Sequence, residues 1–362
     1  MLLLIDARKL GEKPSGIGMY IYNYINGILR YDDVDIILVS DIYNSIEIKE
    51  LKSKVIKTYE YGKSVKKNLD VIKYYKYIQK IINYVKPYIF WEPNNIIPVK
   101  LKNKYGKILM TIHDIFPISN GNEYSYIYKK YFKYSMVNTL KSADNITCVS
   151  GFTKNELEEY YGSKVVNKKI FVSYNIVDFT YENSSVDMNY FLYIGNVEKR
   201  KGVDILLKSY KKYRDNGGQK GLHIAGAIRD EELHEQINVL AKQYSDVFYL
   251  GYISSEDKEK QLKECSAFVF PSRAEGFGIP PVEALSYGKQ VIVSDLDVFK
   301  EVLCQKVEMF ELSHDENRTV DSLTDKLFGY ENRISKDECD KLLERYSSQT
   351  VVDKFVCQLR NL

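Results

Sequence analysis

The sequence of 362 residues is 44% hydrophobic and 28% charged, which is ordinary for a soluble globular protein and excludes a disordered or fibrous chain. At this length we expect two domains, because single hydrophobic cores stop growing at about 250–300 residues. The net charge of +3 conceals an asymmetry: residues 1–180 carry 27 Lys and Arg against 18 Asp and Glu, and residues 181–362 carry 25 against 31. The basic first half is therefore the part expected to meet an anionic partner.

The cysteines indicate a reducing compartment. They are odd in number, scattered and without the spacing of a metal site, so we expect reduced thiols and neither a disulfide framework nor zinc. Met1 leads directly into an apolar segment that is too short to span a bilayer, and no other window approaches that length. We therefore expect a cytoplasmic protein. The cysteines are Cys148, Cys265, Cys304, Cys339 and Cys357.

The chain opens with a pattern of strand, glycine loop and helix. The apolar run Leu2–Asp6 predicts a strand, and the loop Ser15–Gly18 precedes a helix. Position 21 is Ile21, so the fuller G-x-G-x-x-G pattern of a dinucleotide site is absent. Close packing of the helix on its strand explains the glycines nearly as well as a ligand does. A second strand is predicted over Asp35–Asp41.

Two later segments are rich in Lys and Tyr. Residues 57–87 and Ser125–Val137 have apolar residues at three- and four-residue spacing, which predicts helices with a basic outer side. Lysine stems and tyrosine rings suit the headgroup layer of an anionic membrane, on which such helices can lie. The alternative is a buried helix face with a solvated lysine side.

A histidine lies where parallel sheets place ligand contacts. Tyr88–Pro98 is strand-like, and the strand within Lys107–Ile118 ends in His113 and Asp114. Open α/β sheets bind ligands at the carboxyl ends of their strands, so His113 is a candidate site residue. A histidine that is hydrogen-bonded inside a loop is the alternative. Asn145–Gly162 then predicts a strand and a helix.

The second half repeats the alternation of strand and helix. A weakly patterned segment at 174–189 marks the expected domain boundary, and the next strand leads to Gly195 and then to Arg200 and Lys201 before a helix over Val203–Tyr213. Two adjacent cations there are well placed to neutralise a diphosphate, whereas Lys199 by itself reads as a solvated lysine. Further strands are predicted over Gly221–Ala227 and Asp246–Ser254, a helix over Asp230–Tyr244, and a helical, acidic pattern from Phe299 onward.

The stretch from Cys265 to Asp295 carries the strongest signal. It predicts a strand (Ala267–Phe270), a glycine-rich loop, a helix that starts at the adjacent prolines 280 and 281, and a second strand (Gln290–Ser294). The helix start attracts anions, but Glu275 and Glu283 flank it and would repel a phosphate. Carboxylates accept two hydrogen bonds from a diol, so the pattern indicates a sugar joined to a phosphate. The alternative is that Glu275 is a solvated loop residue and that Glu283 is favoured in the first turn of the helix by the helix dipole alone.

The segment EGFGIPPVEAL, which starts at Glu275, resembles the paired-glutamate signature of retaining glycosyltransferases of family 4. The resemblance extends in pieces over most of the chain, including the strand at Asn145, which resembles the last strand of the family's first domain. It implies an α/β protein with the GT-B fold, two Rossmann-like doubly wound domains that face a central cleft. These would be an acceptor-binding domain over 1–180, a nucleotide-sugar-binding domain over 181–345, and a carboxyl-terminal helix over 346–362 that crosses back.

The resemblance also implies site residues. His113 would approach the transferred sugar, Glu275 would hold the sugar hydroxyls, and Arg200 with Lys201 would stabilise the departing diphosphate. An Arg is frequent in the family at position 196, where this chain has Asn196, so phosphate binding falls to the later pair. An exposed loop tyrosine is as good a reading of Tyr252 as a ring stacked on the base. The donor-binding residues implied are Gly16, Gly18, Gly195, Asn196, Tyr252, Ile253, Gly276, Phe277, Gly278, Ile279 and Glu283.

The function implied is a retaining hexosyltransferase that moves mannose, rhamnose, glucose or a similar hexose from a nucleotide diphosphate sugar to a glycan acceptor. The acceptor would be lipid-linked, in cell-surface polysaccharide synthesis. We predict no cofactor and no metal, because no Asp-x-Asp motif occurs at a strand end and cationic side chains can replace the ion; no nucleic-acid partner is expected. The alternatives are a non-hydrolysing nucleotide-sugar epimerase and a non-catalytic membrane-associated scaffold, and the missing fingerprint disfavours a nicotinamide oxidoreductase.

Overall fold

The computed structural model describes residues 1–10, 16–42, 46–65, 68–119, 124–303, 307–330 and 334–362. These residues form two compact units, one of residues 1–176 together with 346–362 and the other of residues 177–345. Each unit has its own parallel sheet, with helices in the connections between strands. The predicted α/β class with two Rossmann-like domains is therefore confirmed.

The first unit contains a seven-stranded parallel sheet in the order β3-β2-β1-β4-β5-β6-β7. Its central strands are buried on both faces, as apolar runs such as that of Leu3 to Ile5 require. The strands are β1 (Leu2–Asp6), β2 (Asp35–Ser40), β3 (Lys57–Glu60), β4 (Ile89–Glu92), β5 (Lys107–Ile112), β6 (Asn145–Cys148) and β7 (Lys169–Val172).

Seven α-helices of the described residues belong to this unit, besides the short 3₁₀ helix Arg8–Leu10. The last of them comes from the carboxyl terminus and packs on the first, with the rings of Phe355 and Tyr24 at 4.9 Å between centroids. Phe355 also lies 5.0 Å from the ring of Trp91 on β4, so this helix is part of the unit's core. The helices are α1 (Gly16–Ile28), α2 (Ile46–Lys52), α3 (Asn68–Val85), α4 (Phe116–Ser119), α5 (Tyr126–Ser142), α6 (Gly151–Val165) and α14 (Ser348–Arg360).

The second unit contains a six-stranded parallel sheet in the order β10-β9-β8-β11-β12-β13. Its strands are β8 (Tyr190–Ile194), β9 (Gly221–Ala225), β10 (Val247–Gly251), β11 (Ala267–Phe270), β12 (Gln290–Ser294) and β13 (Glu308–Phe310). Its helices are α7 (Val203–Asp215), α8 (Glu231–Gln243), α9 (Ser255–Glu264), α10 (Ile279–Ser286), α11 (Asp297–Val302), α12 (Glu316–Phe328) and α13 (Lys336–Tyr346), whose last residue is assigned to the first unit.

Three strands depart from the sequence prediction, and all of them lie at sheet edges. Residues 57–60 form β3 and not part of a helix, β13 interrupts the helical pattern after Phe299, and β7 follows the strand that was predicted to be the last of its domain. An edge strand pairs on one side and can be short and polar, as the sequence Lys-Thr-Tyr-Glu of β3 is. β3 and β13 lack the apolar run that reveals central strands, whereas β7, with the sequence Lys-Ile-Phe-Val, has a short one.

The cysteines of the described ranges, Cys148, Cys265, Cys339 and Cys357, are free thiols, and Cys304 lies outside those ranges. Within the same ranges, no three or more His, Cys, Asp or Glu side chains are grouped so that they could hold a metal ion. Of the helices described, none combines the length and the apolar character needed to cross a membrane.

Candidate functional site

The clearest candidate site lies in the second unit, in the loops that follow β8 and β11. These strands are neighbours in the sheet, and the strand order reverses between them. Open α/β sheets bind ligands at this point, beyond the carboxyl ends of the strands. The first loop leads into a 3₁₀ turn over Lys199–Lys201, and the second contains Glu275 and leads into α10.

The centre of the site is an ion pair between Lys201 and Glu275. Lys201 Nζ donates to Glu275 Oε1 over 2.5 Å, and the Oγ of Ser272 donates to the same oxygen over 2.7 Å. The lysine and glutamate side chains are only 16% and 10% exposed, so water screens the pair weakly. Both bonds go to Oε1, which leaves Oε2 able to accept a hydrogen bond from a ligand hydroxyl.

Aromatic rings lie beside this pair. Lys201 Nζ lies 5.3 Å from the centre of the Phe270 ring, within the range of a cation–π contact. The buried hydroxyl of Tyr193 donates to the carbonyl of Asn196, and burial, with a contribution from the charge of Glu275, holds the pKa of Tyr193 well above its ordinary value. The loop after β8 is therefore fixed from beneath by a neutral tyrosine.

The two loops are joined through their backbones. The N–H of Arg273 donates to the carbonyl of Arg200 over 2.9 Å. Gly202 has φ of +70°, and a Cβ there would lie 1.8 Å from the carbonyl oxygen of Pro271. Only glycine permits this approach, so Gly202 sets the distance from which Lys201 reaches Glu275.

Arg200 is held by its own loop and by the neighbouring one. Its Nη1 donates to the carbonyl of Ala274 over 3.0 Å, and its Nη2 pairs with Glu198 over 2.8 Å. The guanidinium of Arg273 forms a bidentate pair with Asp204 on α7, at 2.6 and 2.7 Å. These residues fix the cationic turn in one position. Ser272, Glu198, Arg273 and Asp204 were not predicted from the sequence.

The start of α10 provides few amides. Gly278 precedes the helix with φ of +89°, and residues 280 and 281 are prolines, which have no N–H. The N–H groups of Gly278 and Ile279 are therefore the ones at this helix start that an anion can use. Because so few amides are available, Lys201 and Arg200 of the 3₁₀ turn contribute more to any phosphate binding here than they would beside a helix start without prolines.

Glu283 lies on α10 and pairs with a different lysine. Its Oε1 accepts from Lys258 Nζ on α9 over 2.6 Å, and the glutamate side chain is 8% exposed. Burial raises the pKa of Glu283, and the charge of Lys258 opposes that rise. The two predicted glutamates thus have separate cationic partners.

The other donor-binding predictions in this unit have varied environments. Gly195 and Asn196 follow β8, and Gly276 lies with the buried Phe277 between Glu275 and α10. Ile253 is half-buried after β10, whereas Tyr252 is 85% exposed, as a loop tyrosine with no ligand role would also be. Their donor contacts stay predictions.

The remaining predicted residues lie in the first unit. Gly16 and Gly18 are in the first turn of α1, so the predicted glycine loop is wrong at these two positions; Ser15 lies outside the described residues. Helix α1 buries Tyr20, Ile21 and Tyr24, and this packing outweighs the cost of about 1 kcal/mol for a glycine in a helix.

His113 follows β5 directly, as predicted, and is buried. Its Nε2 lies 2.9 Å from the carbonyl oxygen of Pro93, which can only accept, so Nε2 carries the proton. Burial lowers the pKa of His113 to about 4, although the Pro93 bond opposes this shift. The ring is therefore neutral at pH 7, and its Nδ1 can accept a hydrogen bond.

This burial predicts a measurable pH dependence. The pKa of about 4 in the folded protein lies below the ordinary value of 6.5. The contribution of the neutral His113 to the free energy of unfolding is therefore complete above pH 6.5 and is lost as the pH falls toward 4. These two pKa values correspond to a loss of about 2 kcal/mol in the free energy of unfolding at pH 5. In urea unfolding at pH 7.5 and pH 5, we expect His113→Gln to lose about 2 kcal/mol less than wild type. His234→Gln, at a partly exposed histidine, is the control, and equal losses in wild type and His113→Gln would contradict the assignment.

Two protein-family models match the chain, one in each half. The model described as Glycosyltransferase Family 4 matches residues 14–181, and the model described as Glycosyl transferases group 1 matches residues 178–333. The second range contains the ion pair of Lys201 with Glu275 and the pair of Glu283 with Lys258.

Curated relatives are similar over long ranges. The chain is 26% identical over 359 residues to the O-antigen chain mannosyltransferase RfbU of Salmonella typhimurium, which covers 94% of this chain and 97% of the relative. It is 27% identical over 231 residues to the O-antigen chain mannosyltransferase B of Escherichia coli, over 60% of each chain.

Solved structures share the fold. The lipopolysaccharide outer core galactosyltransferase WaaB in its apo form matches with a TM-score of 0.67 at 18% identity, over 100% of this chain and 99% of that chain. The Anabaena protein HepE in complex with UDP matches with a TM-score of 0.71 at 15% identity, over 100% of both chains. Each half of the sequence matches a glycosyltransferase family model, and each half forms one of the two sheets. The chain therefore belongs to the glycosyltransferases of the GT-B fold, with a Family 4 first half and a group 1 second half.

Proposed function

We propose that the protein is a retaining hexosyltransferase that moves a hexose from a nucleotide diphosphate sugar to a lipid-linked glycan acceptor in cell-surface polysaccharide synthesis. The relatives named as O-antigen mannosyltransferases support a role in polysaccharide synthesis and make mannose the first hexose to test. The observation that carries the proposal is the Lys201–Glu275 pair at the reversal of strand order, beside the start of α10. It places a cation, a carboxylate and backbone amides at one sheet edge.

On the donor side, each group has a distinct task. Lys201, Arg200 and the amides of Gly278 and Ile279 stabilise the negative charge that develops on the departing diphosphate, and stabilisation of this kind usually lowers an enzymatic barrier more than any other single effect. Glu275 accepts hydrogen bonds from the sugar hydroxyls through its Oε2, and Glu283 accepts them from the ribose diol. The cations supply the charge that a metal ion would supply, so we propose that transfer needs no metal and no other cofactor.

Retention of the anomeric configuration is part of the proposal. A front-side attack keeps the acceptor hydroxyl on the face from which the diphosphate leaves. A phosphate oxygen of the leaving group then accepts the hydroxyl proton, so the protein need not supply a strong base. The proposed role of His113, whose ring is neutral, is to accept a hydrogen bond at Nδ1 from a hydroxyl of the transferred sugar.

We also propose that the first unit contacts the cytoplasmic surface of an anionic membrane. Helix α5 exposes Tyr126, Ile127 and Tyr134 at 67%, 81% and 63%. The Nζ of Lys130 lies 4.4 Å from the centre of the Tyr126 ring on the same side of the helix. Exposed apolar and aromatic groups with interleaved lysines suit an anionic headgroup layer, where a lipid-linked acceptor would be found.

A donor panel tests the transferase proposal. Purified protein is incubated with UDP-, GDP- and dTDP-hexoses, with and without a lipid-linked acceptor in anionic or neutral vesicles, in the presence of EDTA. We expect one donor to give a transferred sugar whose NMR coupling shows a retained anomeric centre, most rapidly on anionic vesicles. An epimerised nucleotide sugar formed without acceptor would favour the epimerase, and no turnover of any donor would favour the scaffold.

A further inference from the structure

A second cavity lies in the first unit and has no role in the donor chemistry described above. Its volume is about 630 Å³, and it is lined by residues that follow β1, including Arg8 and Lys9, and by residues that follow β4, including Asn94. The strand order reverses between β1 and β4. The cavity therefore occupies the place where open α/β sheets bind ligands, in a unit that holds none of the donor carboxylates.

Among the described residues, the charges that line the cavity are balanced. Arg8 and Lys9 contribute two cations, and Asp41 and Asp114 contribute two carboxylates. Asp41 is fixed in place, because its two oxygens accept from the N–H groups of Ile42 and Val65, each over 2.9 Å. An anion that entered to meet the cations would also meet these carboxylates.

Arg8 already has partners within the unit. Its guanidinium lies over the rings of Tyr74 and Tyr75, at 5.0 and 5.2 Å, and its backbone N–H donates to the buried Asp6 over 3.0 Å. Asp6 also accepts from the Tyr74 hydroxyl, and burial raises the pKa of Asp6 and of the neighbouring Glu92, whereas the charge of Arg8 opposes both shifts. The Arg8 guanidinium is therefore held against two tyrosine rings, near buried carboxyl groups, before any ligand enters.

Asn94 connects this cluster to the cavity. Its Nδ2 donates to Asp6 over 3.0 Å and to Glu92 over 2.5 Å, and these two acceptors fix which end of the amide is nitrogen. Its Oδ1 is buried and has no hydrogen-bond partner among the described residues. Water does not reach that oxygen either, so a ligand hydroxyl could satisfy it only after a small movement of Asn94.

Tyrosines form another part of the cavity wall. Tyr124, Tyr128 and Tyr131 line the cavity; Tyr124 precedes α5, and Tyr128 and Tyr131, three residues apart, lie on one side of that helix. The rings of Tyr124 and Tyr128 are stacked, with centroids 5.8 Å apart. Aromatic faces cover the C–H face of a sugar ring, while polar groups around them bind its hydroxyls.

We infer that this cavity binds an uncharged hexose ring at the acceptor end of the glycan, and that it excludes a phosphate or a uronate. The identification of that hexose as the acceptor rests on the proposed function. The balanced charges of the lining residues and the tyrosine wall carry the rest.

The test is ligand-observed saturation-transfer NMR on the full chain without any donor. The probes are methyl α-mannoside, rhamnoside, glucoside and galactoside, methyl glucuronide, and inorganic phosphate followed by its phosphorus line width. We expect at least one neutral hexoside to bind wild type and the glucuronide and phosphate not to compete. Loss of an aromatic face should weaken that binding about fivefold or more in Tyr131→Ala.

The control variants locate the sugar. Tyr131→Phe keeps the ring and should keep binding, and Tyr160→Ala removes an exposed tyrosine of α6 and should leave it unchanged. Glu275→Ala disables the donor-sugar contact of the second unit and should also keep it. Thermal melts show that each variant is folded.

Three results would overturn the inference: binding of glucuronide or phosphate without any hexoside, hexoside binding lost in Glu275→Ala but kept in Tyr131→Ala, or hexose transfer by a protein that binds no neutral hexoside. The last would leave the proposed function standing. Hexoside binding that needs Tyr131 in a protein with no transfer activity would uphold the inference and reject the proposed function.

Discussion

Replacement of Lys201 by Ala is expected to lower kcat by about 10²–10³-fold, which corresponds to about 3–4 kcal/mol of lost transition-state stabilisation. The lysine is the cation closest to Glu275, and the prolines at positions 280 and 281 leave few amides to take over its charge. Steady-state kinetics with the donor identified by the panel measure the effect. Lys201→Arg keeps the charge and should recover part of the rate.

Lys199→Ala is the matched control for this prediction. Lys199 belongs to the same 3₁₀ turn, but its side chain is 53% exposed and pairs with Glu232, which is 66% exposed. Exposed ion pairs contribute little, so kcat should stay within about twofold of wild type. Equal losses in Lys199→Ala and Lys201→Ala, or a wild-type rate in Lys201→Ala, would contradict the role of Lys201.

Glu275→Gln is expected to lower kcat by about 10²-fold while it tightens the binding of the nucleoside diphosphate product. The neutral amide accepts hydroxyl hydrogen bonds more weakly than the carboxylate, which accounts for the lower rate. It also releases Lys201 from its ion pair, so the lysine charge is fully available to the diphosphate. Kinetics and isothermal titration with the free nucleoside diphosphate measure the two effects separately.

The control for this variant is Glu232→Gln, which breaks the exposed pair with Lys199 and should change neither quantity. A glutamate with only a structural role would behave differently from Glu275. Its replacement would lower the melting temperature and the concentration of active protein, and product affinity would not rise. Weaker product binding in Glu275→Gln would therefore reject the competition between the carboxylate and the diphosphate for Lys201.

The central strands could be predicted from the sequence, and some were predicted at their observed bounds. Ala267–Phe270 and Gln290–Ser294 are fully buried apolar runs next to glycine and proline, so their limits are clear in the pattern. Edge strands such as β3 and β13 were not predicted, because a strand that pairs on one side only can contain polar residues. Gly16 and Gly18 were placed in a loop because the low helix propensity of glycine was given more weight than the packing of α1.

The residues of the site could be predicted from the sequence, but the contacts between them could not. The sequence indicated Lys201 and Glu275 separately, but they lie 74 residues apart, and only the folded sheet brings their loops together. Ser272 could have been found, since it lies in the same predicted loop as Glu275. The cavity at β1 and β4 had a weaker signal in the sequence, because the hydrogen bonds of Asn94 to Asp6 and Glu92 form only in the folded sheet.

The most direct test of the account is isothermal titration of UDP, GDP and dTDP into wild type, Lys201→Ala and Lys199→Ala. The account predicts that one nucleoside diphosphate binds wild type, that Lys201→Ala binds it about tenfold or more weakly, and that Lys199→Ala binds it as wild type does. It would be contradicted if none of the three bound to the folded wild-type protein, or if the loss of Lys201 left the affinity unchanged.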